Sequence, residues 1–207
     1  MVVNKEIIDD YKNCGVVLVR NIISKQWLEK LAKGIEKNFQ NPSQYKCVYE
    51  KENDKEIFYD DYCNWQRIEE YKDFIFNSDI AKIAAQLMQS KKVNLFHEHI
   101  LIKEPGATKR TPWHQDQPYY CVDGKDNCSL WIPLDKIFKE VCPEFVKSSH
   151  AWNKKYLPTK FFGHSYEKKD DELEKIPDIG DNIEDYDIVS WELNPGDLIA
   201  FNFSIIH

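Results

Sequence analysis

The hydrophobic pattern of the chain changes its period near residue 90, and this change restricts the folds that the chain can adopt. Before it, apolar residues recur at helical spacing, as Trp27, Leu28 and Leu31 do after Ser24. After it, short apolar runs alternate with clusters of Pro, Gly, Asn and Asp. These runs predict strands over residues 93–103, 113–120, 128–134, 144–147 and 197–206. Helices followed by many short strands predict an α+β chain with a sandwich or barrel core.

Cap and turn residues predict where the helices of the first half begin and end. Residues 43–77 are aromatic with a weak period and are predicted to be irregular. The regular elements expected here are a helix that ends at Gly15, a strand over 16–19, a helix from Ser24 to Asn41 and a helix over 78–88.

Length and composition fit a single globular domain over residues 1–207. Hydrophobic residues make up 42% of the chain and aromatic residues 14%, a content that favours β-structure packed around a pocket. The six cysteines are scattered without a CxxC pair. They are therefore predicted to be reduced, mostly buried thiols rather than a disulfide framework or a zinc site.

The charge of the chain argues against nucleic acid as a partner. The net charge is −7, and every Lys/Arg run is interleaved with acids, whereas phosphate backbones require a basic surface. Apolar runs are too short for a membrane span, and the N-terminus lacks the apolar core of a signal peptide. A cytoplasmic protein is the expectation, with its oligomeric state open.

The sequence Trp113-His114-Gln115-Asp116 gives the sharpest chemical signal. On a β-strand, the side chains of His114 and Asp116 would point to the same face, with Gln115 on the other. An imidazole and a carboxylate placed in this way, joined by a second imidazole, form the 2-His-1-carboxylate set that leaves positions open on Fe(II). The candidate second imidazole is His207, at the end of the apolar run that follows Pro195-Gly196-Asp197. By spacing alone, this ligand set is weak.

Further segments, in the same order, resemble the phytanoyl-CoA dioxygenase family. A strand that ends near a Pro-Gly turn precedes the HxD triplet, a strand with Trp131 follows it, and a Gly-Asp pair opens the strand that leads to the distal His. The segments that carry the resemblance are 16–21, 100–106, 114–116, 129–135, 142–150 and 196–207.

The resemblance implies a double-stranded β-helix (jelly-roll, cupin-like) core with the N-terminal helices packed on one sheet. It implies an oxygenase with Fe(II) bound by His114, Asp116 and His207, and with 2-oxoglutarate and O2 as co-substrates. Trp131 would line the 2-oxoglutarate site, and Lys103 would contribute a positive charge. The implied reaction hydroxylates a small molecule and releases succinate and CO2. Asp116 favours hydroxylation, because related halogenases lack this carboxylate.

The chain departs from the family pattern in two places. The family's arginine about ten residues beyond the distal His, which clamps 2-oxoglutarate, has no counterpart because His207 is the last residue. We therefore expect a chain truncated before its last core strand. The second departure is Lys147-Ser148-Ser149-His150, which lacks the usual Pro-Gly of this loop.

Several alternatives stay open at this point. His99, Tyr119 and Tyr120 are substrate-contact candidates, and the pair His97/His99 is a rival metal site without a third ligand. The acidic residues 164–188 form either a solvated excursion or a lid. Besides an iron oxygenase, the chain fits a catalytically impaired jelly-roll binding protein or a zinc hydrolase that uses the same ligands.

Overall fold

The computed structural model describes residues 2–49, 58–104, 110–159 and 173–207. It divides into a first unit (residues 1–23, 82–91 and 111–207) and a second unit (residues 24–81 and 92–110). The helices and strands are α1 (Lys5–Cys14), β1 (Val16–Val19), α2 (Lys25–Gln40), β2 (Cys47–Tyr49), β3 (Phe58–Tyr62), α3 (Glu69–Asn77), α4 (Ile80–Leu87), β4 (His99–Lys103), β5 (Ser129–Trp131), β6 (Phe145–Val146), β7 (Ile188–Val189) and β8 (Leu198–Phe201). The chain thus combines helices and sheets, as predicted.

Caps fix the ends of α1 in the first unit. The side chain of Asn4 accepts a hydrogen bond from the backbone N–H of Ile7 at 2.9 Å, which satisfies one of the free donors of the first turn. Gly15 ends the helix in the left-handed conformation, with φ 76°, and donates its N–H to the carbonyl of Tyr11. Strand β1 begins at the next residue, so the predicted stop at Gly15 is confirmed.

We expect Gly15→Ala to lower the free energy of unfolding by about 1–3 kcal/mol. A Cβ at this position would be strained by the positive φ and would lie 2.3 Å from Nδ1 of His150. Gly180→Ala is the control, because its Cβ would meet nothing within 4 Å. Urea denaturation of the two variants measures the difference, and equal stabilities would contradict this interpretation of Gly15.

The main sheet of the first unit is antiparallel and has the order β1-β8-β5. Phe201 of the central strand pairs with Val16 on one side and Ser129 on the other. All four residues of β8 are buried, as expected for a central strand covered on both faces. A second sheet pairs β6 with β7. The main apolar cluster lies around these strands and consists of Val16, Cys142, Phe145, Leu193, Ile199, Phe201 and Ile205.

Asp197 holds the start of β8 in place. It is 4% exposed, and its carboxylate accepts hydrogen bonds from the Arg20 guanidinium (2.7 Å) and from the backbone N–H groups of Asn21 and Asn194 (2.8 and 3.0 Å). The preceding Gly196 has φ 107°, a conformation that favours glycine. The Gly-Asp pair therefore sets the point at which the strand leading towards His207 begins.

In the second unit, α2 and α3 pack on one face of the antiparallel sheet β2-β3-β4. Leu31 and Ile35 of α2 and Tyr71 of α3 meet Ile100 and Ile102 of β4. Strands β2 and β3 and helix α3 lie within residues 43–77, so the prediction of an irregular segment there is wrong. The helices expected from Ser24 and over 78–88 are present, as α2 and α4.

Asp61 is a fully buried carboxylate in this second unit. Burial raises its pKa, but hydrogen bonds from the side chain and N–H of Ser43 and from Asn38 outweigh that effect and lower the pKa to about 2. A folded pKa below the unfolded one means that Asp61 stabilises the fold above pH about 4, by roughly 2 kcal/mol. This stabilisation is lost as the pH falls through about 2.

We therefore expect Asp61→Asn to destabilise the protein near neutral pH, and the difference from the unchanged chain to shrink towards pH 2. Urea denaturation over this pH range measures it. Glu69→Gln, at an exposed carboxylate, is the control. A difference that does not depend on pH would contradict the role given to the ionised carboxylate.

Two further predictions need correction. Residues 113–120 are not a strand: Asp116 has helical backbone angles, and Gln117–Tyr119 form a 3-10 turn. All six thiols are free, as predicted, but only Cys142 is buried, whereas Cys47, Cys63 and Cys121 are exposed.

Part of the acidic segment, residues 164–172, lies outside the described residues, and residues 183–185 of the remainder form a 3-10 turn. In the described part of the chain, no helix has the length and apolar character needed to cross a membrane.

Candidate metal site

The side chains of His114, Asp116 and His207 meet in the first unit. One potential ligand atom from each residue lies within 4.8 Å of the other two. Oδ1 of Asp116 is 3.7 Å from Nε2 of His114 and 3.8 Å from Nε2 of His207. These distances are longer than hydrogen bonds, so there is room for a cation among the three atoms. Among the described residues, no other group of three His, Cys, Asp or Glu side chains brings its potential ligand atoms this close together.

A pair of backbone hydrogen bonds brings the two histidines together. The N–H of His114 donates to the carbonyl of His207, and the N–H of His207 donates to the carbonyl of His114, both at 2.9 Å. This reciprocal exchange is the hydrogen-bonded pair of an antiparallel ladder, which sets the two side chains next to each other. A third bond, from the N–H of Gln117 to the carbonyl of Phe203, ties the same two segments. The imidazole centroids are 4.2 Å apart.

Backbone carbonyls select the tautomer of both imidazoles. Nδ1 of His114 lies 3.0 Å from the carbonyl oxygen of Pro112, and Nδ1 of His207 lies 3.2 Å from that of Ile205. A carbonyl oxygen only accepts, so each Nδ1 carries the proton and each Nε2 keeps its lone pair. Both lone pairs belong to the atoms near Asp116, and this is the arrangement that carbonyl partners impose on metal-binding histidines.

Burial keeps His114 neutral. It lowers the pKa of this imidazole to about 4, with a further lowering by the neighbouring imidazole of His207 and a partial offset by Asp116. A neutral imidazole is the form that binds a metal, so His114 needs no deprotonation near neutral pH.

Aromatic rings support His207. Its imidazole stacks on Phe145, with centroids 5.4 Å apart and planes 21° apart, and lies 4.8 Å from the ring of Phe201. Phe145 itself is fully buried. The last residues also enter a second apolar cluster through Ile206, which packs with Val146, Tyr156 and Ile179. Packing and backbone hydrogen bonds together hold His207 in position.

Two hydroxyl groups contact the carboxylate of Asp116. Oγ of Ser129 donates to Oδ2 at 3.3 Å, and the hydroxyl of Tyr120 forms a side-chain hydrogen bond to the same carboxylate. Burial raises the pKa of Tyr120, and the negative charge of Asp116 raises it further. Tyr120 therefore keeps its proton and donates to the carboxylate of Asp116, which this contact helps to orient. Tyr120 was predicted only as a substrate contact, and that prediction did not include this role.

We expect Tyr120→Phe to weaken Fe(II) binding by about 10-fold to 100-fold, the usual effect of losing an outer partner of a metal ligand. Tyr119→Phe is the matched control. Its hydroxyl donates to the carbonyl of Thr159 and accepts from the N–H of that residue, both at 2.7 Å, and its ring lies edge-on to His114. Anaerobic Fe(II) titration compares the two variants. Equal losses would show that the hydroxyl of Tyr120 has no special effect on the site.

Gln115, between the two candidate ligands, is an anchor that sequence reasoning missed. It is 2% exposed, and its amide nitrogen donates to the carbonyls of Lys154 and Ser204 at 3.1 and 2.8 Å. Its amide oxygen accepts from the N–H of Tyr156 at 3.2 Å. The turn that carries His114 and Asp116 is thus joined to two distant segments. The sequence indicated only that the side chain of Gln115 points away from those of His114 and Asp116, and not which groups it contacts.

Three other predicted site residues lie on strands β5 and β4. Trp131 lies on β5 two residues after Ser129, so both side chains are on the same face of that strand. Trp131 is half-buried against the main apolar cluster. Lys103 and His99 belong to β4 of the second unit, and their predicted roles stay predictions.

The model of the phytanoyl-CoA dioxygenase family matches residues 11–207. No curated protein matches the sequence significantly.

Solved structures match almost the whole chain at low identity. SnoK, a non-haem α-ketoglutarate-dependent carbocyclase from nogalamycin biosynthesis, has a TM-score of 0.76 and 19% identity, over 99% of this chain and 76% of SnoK. AviO1 from Streptomyces viridochromogenes Tue57 has a TM-score of 0.71 and 17% identity, over 100% and 86%. EctD from S. alaskensis with 2-oxoglutarate and 5-hydroxyectoine has a TM-score of 0.68 and 15% identity, over 99% and 69%.

The fold is therefore that of non-haem iron, 2-oxoglutarate-dependent oxygenases, and the family match places the chain in this general class of enzyme. The chain belongs to the phytanoyl-CoA dioxygenase family.

Proposed function

We propose that the protein is an Fe(II)- and 2-oxoglutarate-dependent dioxygenase that hydroxylates a small molecule and releases succinate and CO2. His114, Asp116 and His207 are the iron ligands in this proposal. The observation that carries it is the convergence of two Nε2 lone pairs and a carboxylate oxygen at 3.7–3.8 Å, with both Nδ1 protons held by carbonyls. Two imidazoles and one carboxylate leave part of an octahedral metal open, as an oxygenase requires and a closed structural zinc site does not.

The donor set fits a divalent iron. One negative charge from Asp116 and two neutral imidazoles offset part of the charge of the cation, and carboxylate and imidazole are ligand types that suit Fe(II). Bound iron would supply the activation of O2 together with 2-oxoglutarate. The residues of the chain hold and orient the three ligand side chains. The reciprocal backbone hydrogen bonds of His114 and His207 fix the two imidazoles, and Ser129 and Tyr120 fix the carboxylate of Asp116.

A jelly-roll core is the architecture that we propose for the site. The antiparallel order β1-β8-β5 and the second pair β6-β7 support it, since a jelly roll consists of two antiparallel sheets that carry the ligands between them. Trp131 is proposed to line the 2-oxoglutarate site, because it shares its strand face with Ser129, whose hydroxyl contacts Asp116.

Hydroxylation is the reaction that we favour within the class. Asp116 provides the carboxylate ligand, and the similar structure of EctD holds 2-oxoglutarate with a hydroxylated small molecule, 5-hydroxyectoine. Other similar structures are called a carbocyclase and an epimerase, so proteins of this fold carry out more than one reaction.

Succinate release by the anaerobically reconstituted Fe(II) protein, on admission of O2 with 2-oxoglutarate and a panel of small molecules, tests the proposal. We expect succinate to require Fe(II), O2 and 2-oxoglutarate together. No succinate with any compound would favour a binding protein that kept the scaffold. Activity that needs zinc and neither O2 nor 2-oxoglutarate would instead identify a hydrolase.

A further inference from the structure

The loop Lys147-Ser148-Ser149-His150, which departs from the family pattern, contacts the last residues of the chain. Oγ of Ser149 accepts a hydrogen bond from the backbone N–H of Ile206 at 2.8 Å. The N–H of Val146, just before this loop, donates to the carbonyl of Ile206 at 2.9 Å. Ser149 is 1% exposed and Ile206 is 0% exposed, so bulk water does not compete for the bond between them. Both backbone groups of Ile206 are thus bound from this part of the chain.

The next residue, His207, is held by a different partner. Its N–H and its carbonyl both bond to His114 at 2.9 Å, and Nε2 of its imidazole lies 3.8 Å from Oδ1 of Asp116. The hydrogen bond between Ile206 and Ser149 is therefore one residue away from a candidate iron ligand. Because a planar peptide group joins Ile206 to His207, a shift of the first residue moves the second with it.

The loop itself is fixed to the end of α1. Ser148 has φ 63°, a conformation that few residues other than glycine adopt. Its N–H donates to the carbonyl of Cys14 at 2.7 Å, and its Oγ donates to the carbonyl of Asn13 at 3.0 Å. Nε2 of His150 lies 3.2 Å from the carbonyl oxygen of Lys12. These carbonyls belong to the last turn of the helix, where partners within the helix run out. A strained residue persists where its surroundings fix it in this way.

We propose that Ser149 is a positioning residue for the metal site, which fixes the backbone before His207 and so keeps Nε2 of His207 directed at the ion. A hydroxyl oxygen can accept this bond, and a methyl group cannot. Loss of the hydroxyl would leave the N–H of Ile206 buried and unpaired, a cost that the chain lowers by shifting its last residues. The inference rests on the proposed function, because it gives Ser149 this role only where His207 binds a metal.

Co(II) titration of the full chain tests the proposal, since the visible absorption of Co(II) reports the geometry of its ligands. We expect Ser149→Ala to lower the affinity for Co(II) by about tenfold or more and to change the absorption spectrum of the bound ion. Ser43→Ala is the matched control, because it removes a serine hydroxyl that donates to Asp61 in the second unit. This control should lose stability and keep both the affinity and the spectrum.

A second measurement uses metal-free protein. In Ser149→Ala, hydrogen exchange at the amides of Ile206 and His207 should be faster by about tenfold or more, with the amide of Leu18 in β1 unchanged. If Ser149→Ala does not fold, Ser149→Cys keeps a side chain of similar shape with a weak acceptor. It should change the Co(II) affinity and the exchange rates in the same direction.

The outcomes separate this inference from the proposed function. Unaltered Co(II) affinity and spectrum in folded Ser149→Ala or Ser149→Cys would overturn the positioning role alone, as would unaltered exchange at Ile206 and His207. Dependence of Co(II) binding on Ser149 in a protein that releases no succinate would support the role and contradict the oxygenase reaction. No Co(II) binding by the unchanged chain would overturn both.

Discussion

Asp116→Ala should lower the affinity for Fe(II) by about 100-fold or more, since loss of an outer partner alone costs 10-fold to 100-fold. Asp116 is the anionic member of the three-residue group, and its Oδ1 lies 3.7 and 3.8 Å from the two Nε2 atoms. Without it, two neutral imidazoles would face the cation with no charge to offset it. Succinate release should fall to background. Anaerobic Fe(II) titration and succinate measurement on the same preparations determine both effects.

The control for this variant is Asp135→Ala, which removes an exposed carboxylate of the same unit. We expect its iron affinity and turnover to equal those of the unchanged chain. Circular dichroism establishes that both variants are folded. Full iron binding by folded Asp116→Ala would rule out Asp116 as a ligand.

The second large effect is expected for Phe145→Ala, which should lower the free energy of unfolding by about 3–5 kcal/mol. Phe145 is fully buried, and its ring contacts those of Phe201 and His207, with centroids 5.2 and 5.4 Å away. The cavity left by the ring removes dispersion contacts that the neighbours cannot replace. The imidazole of His207 also loses the surface on which it stacks, so Fe(II) affinity should fall in the variant that remains folded.

Phe138→Ala is the matched control, because Phe138 is 55% exposed and its ring lies 4.9 Å from the ammonium group of Lys136. Its loss should cost about 0.5–1 kcal/mol. Urea denaturation compares the two variants. A similar loss of stability for both would show that Phe145 is not part of the core around His207.

Local signals in the sequence predicted the first helices well. Ser24 accepts a hydrogen bond from the first turn of α2, and Gly15 ends α1 in the left-handed conformation, as predicted. Each of these features depends on a few adjacent residues, so the pattern of side chains is sufficient to indicate it. The same holds for β1, where Val16–Val19 is an uninterrupted apolar run.

The elements that the sequence analysis predicted wrongly depend on tertiary contacts. The segment 113–120 was predicted to be a strand, yet its backbone N–H groups donate to the carbonyls of Phe203 and His207, and the residues after Asp116 form a 3-10 turn. Strand β3 reads Phe-Tyr-Asp-Asp-Tyr, and both aspartates are buried. A buried carboxylate such as Asp61 is stabilised by Ser43 and Asn38, which no local pattern reveals.

In the candidate site, too, some features could be predicted from the sequence and others depend on tertiary contacts. The residue types of the candidate ligands and their order along the chain were visible in the sequence, and the fold brings these three side chains together. The partners of the ligands were not visible, because Ser129, Gln115 and Phe145 meet the site through contacts 13 to 89 residues apart in sequence and through ring stacking. A serine or a glutamine carries no marker of such a contact until the neighbouring strand is known.

A crystal structure of the protein grown anaerobically with Fe(II), with the iron located by its anomalous scattering, tests the central claim most directly. We predict one iron within coordination distance of Nε2 of His114, Nε2 of His207 and the carboxylate of Asp116, with the remaining positions open to small ligands. Iron bound elsewhere, or a site at which one of these three side chains points away from the metal, would contradict the assignment.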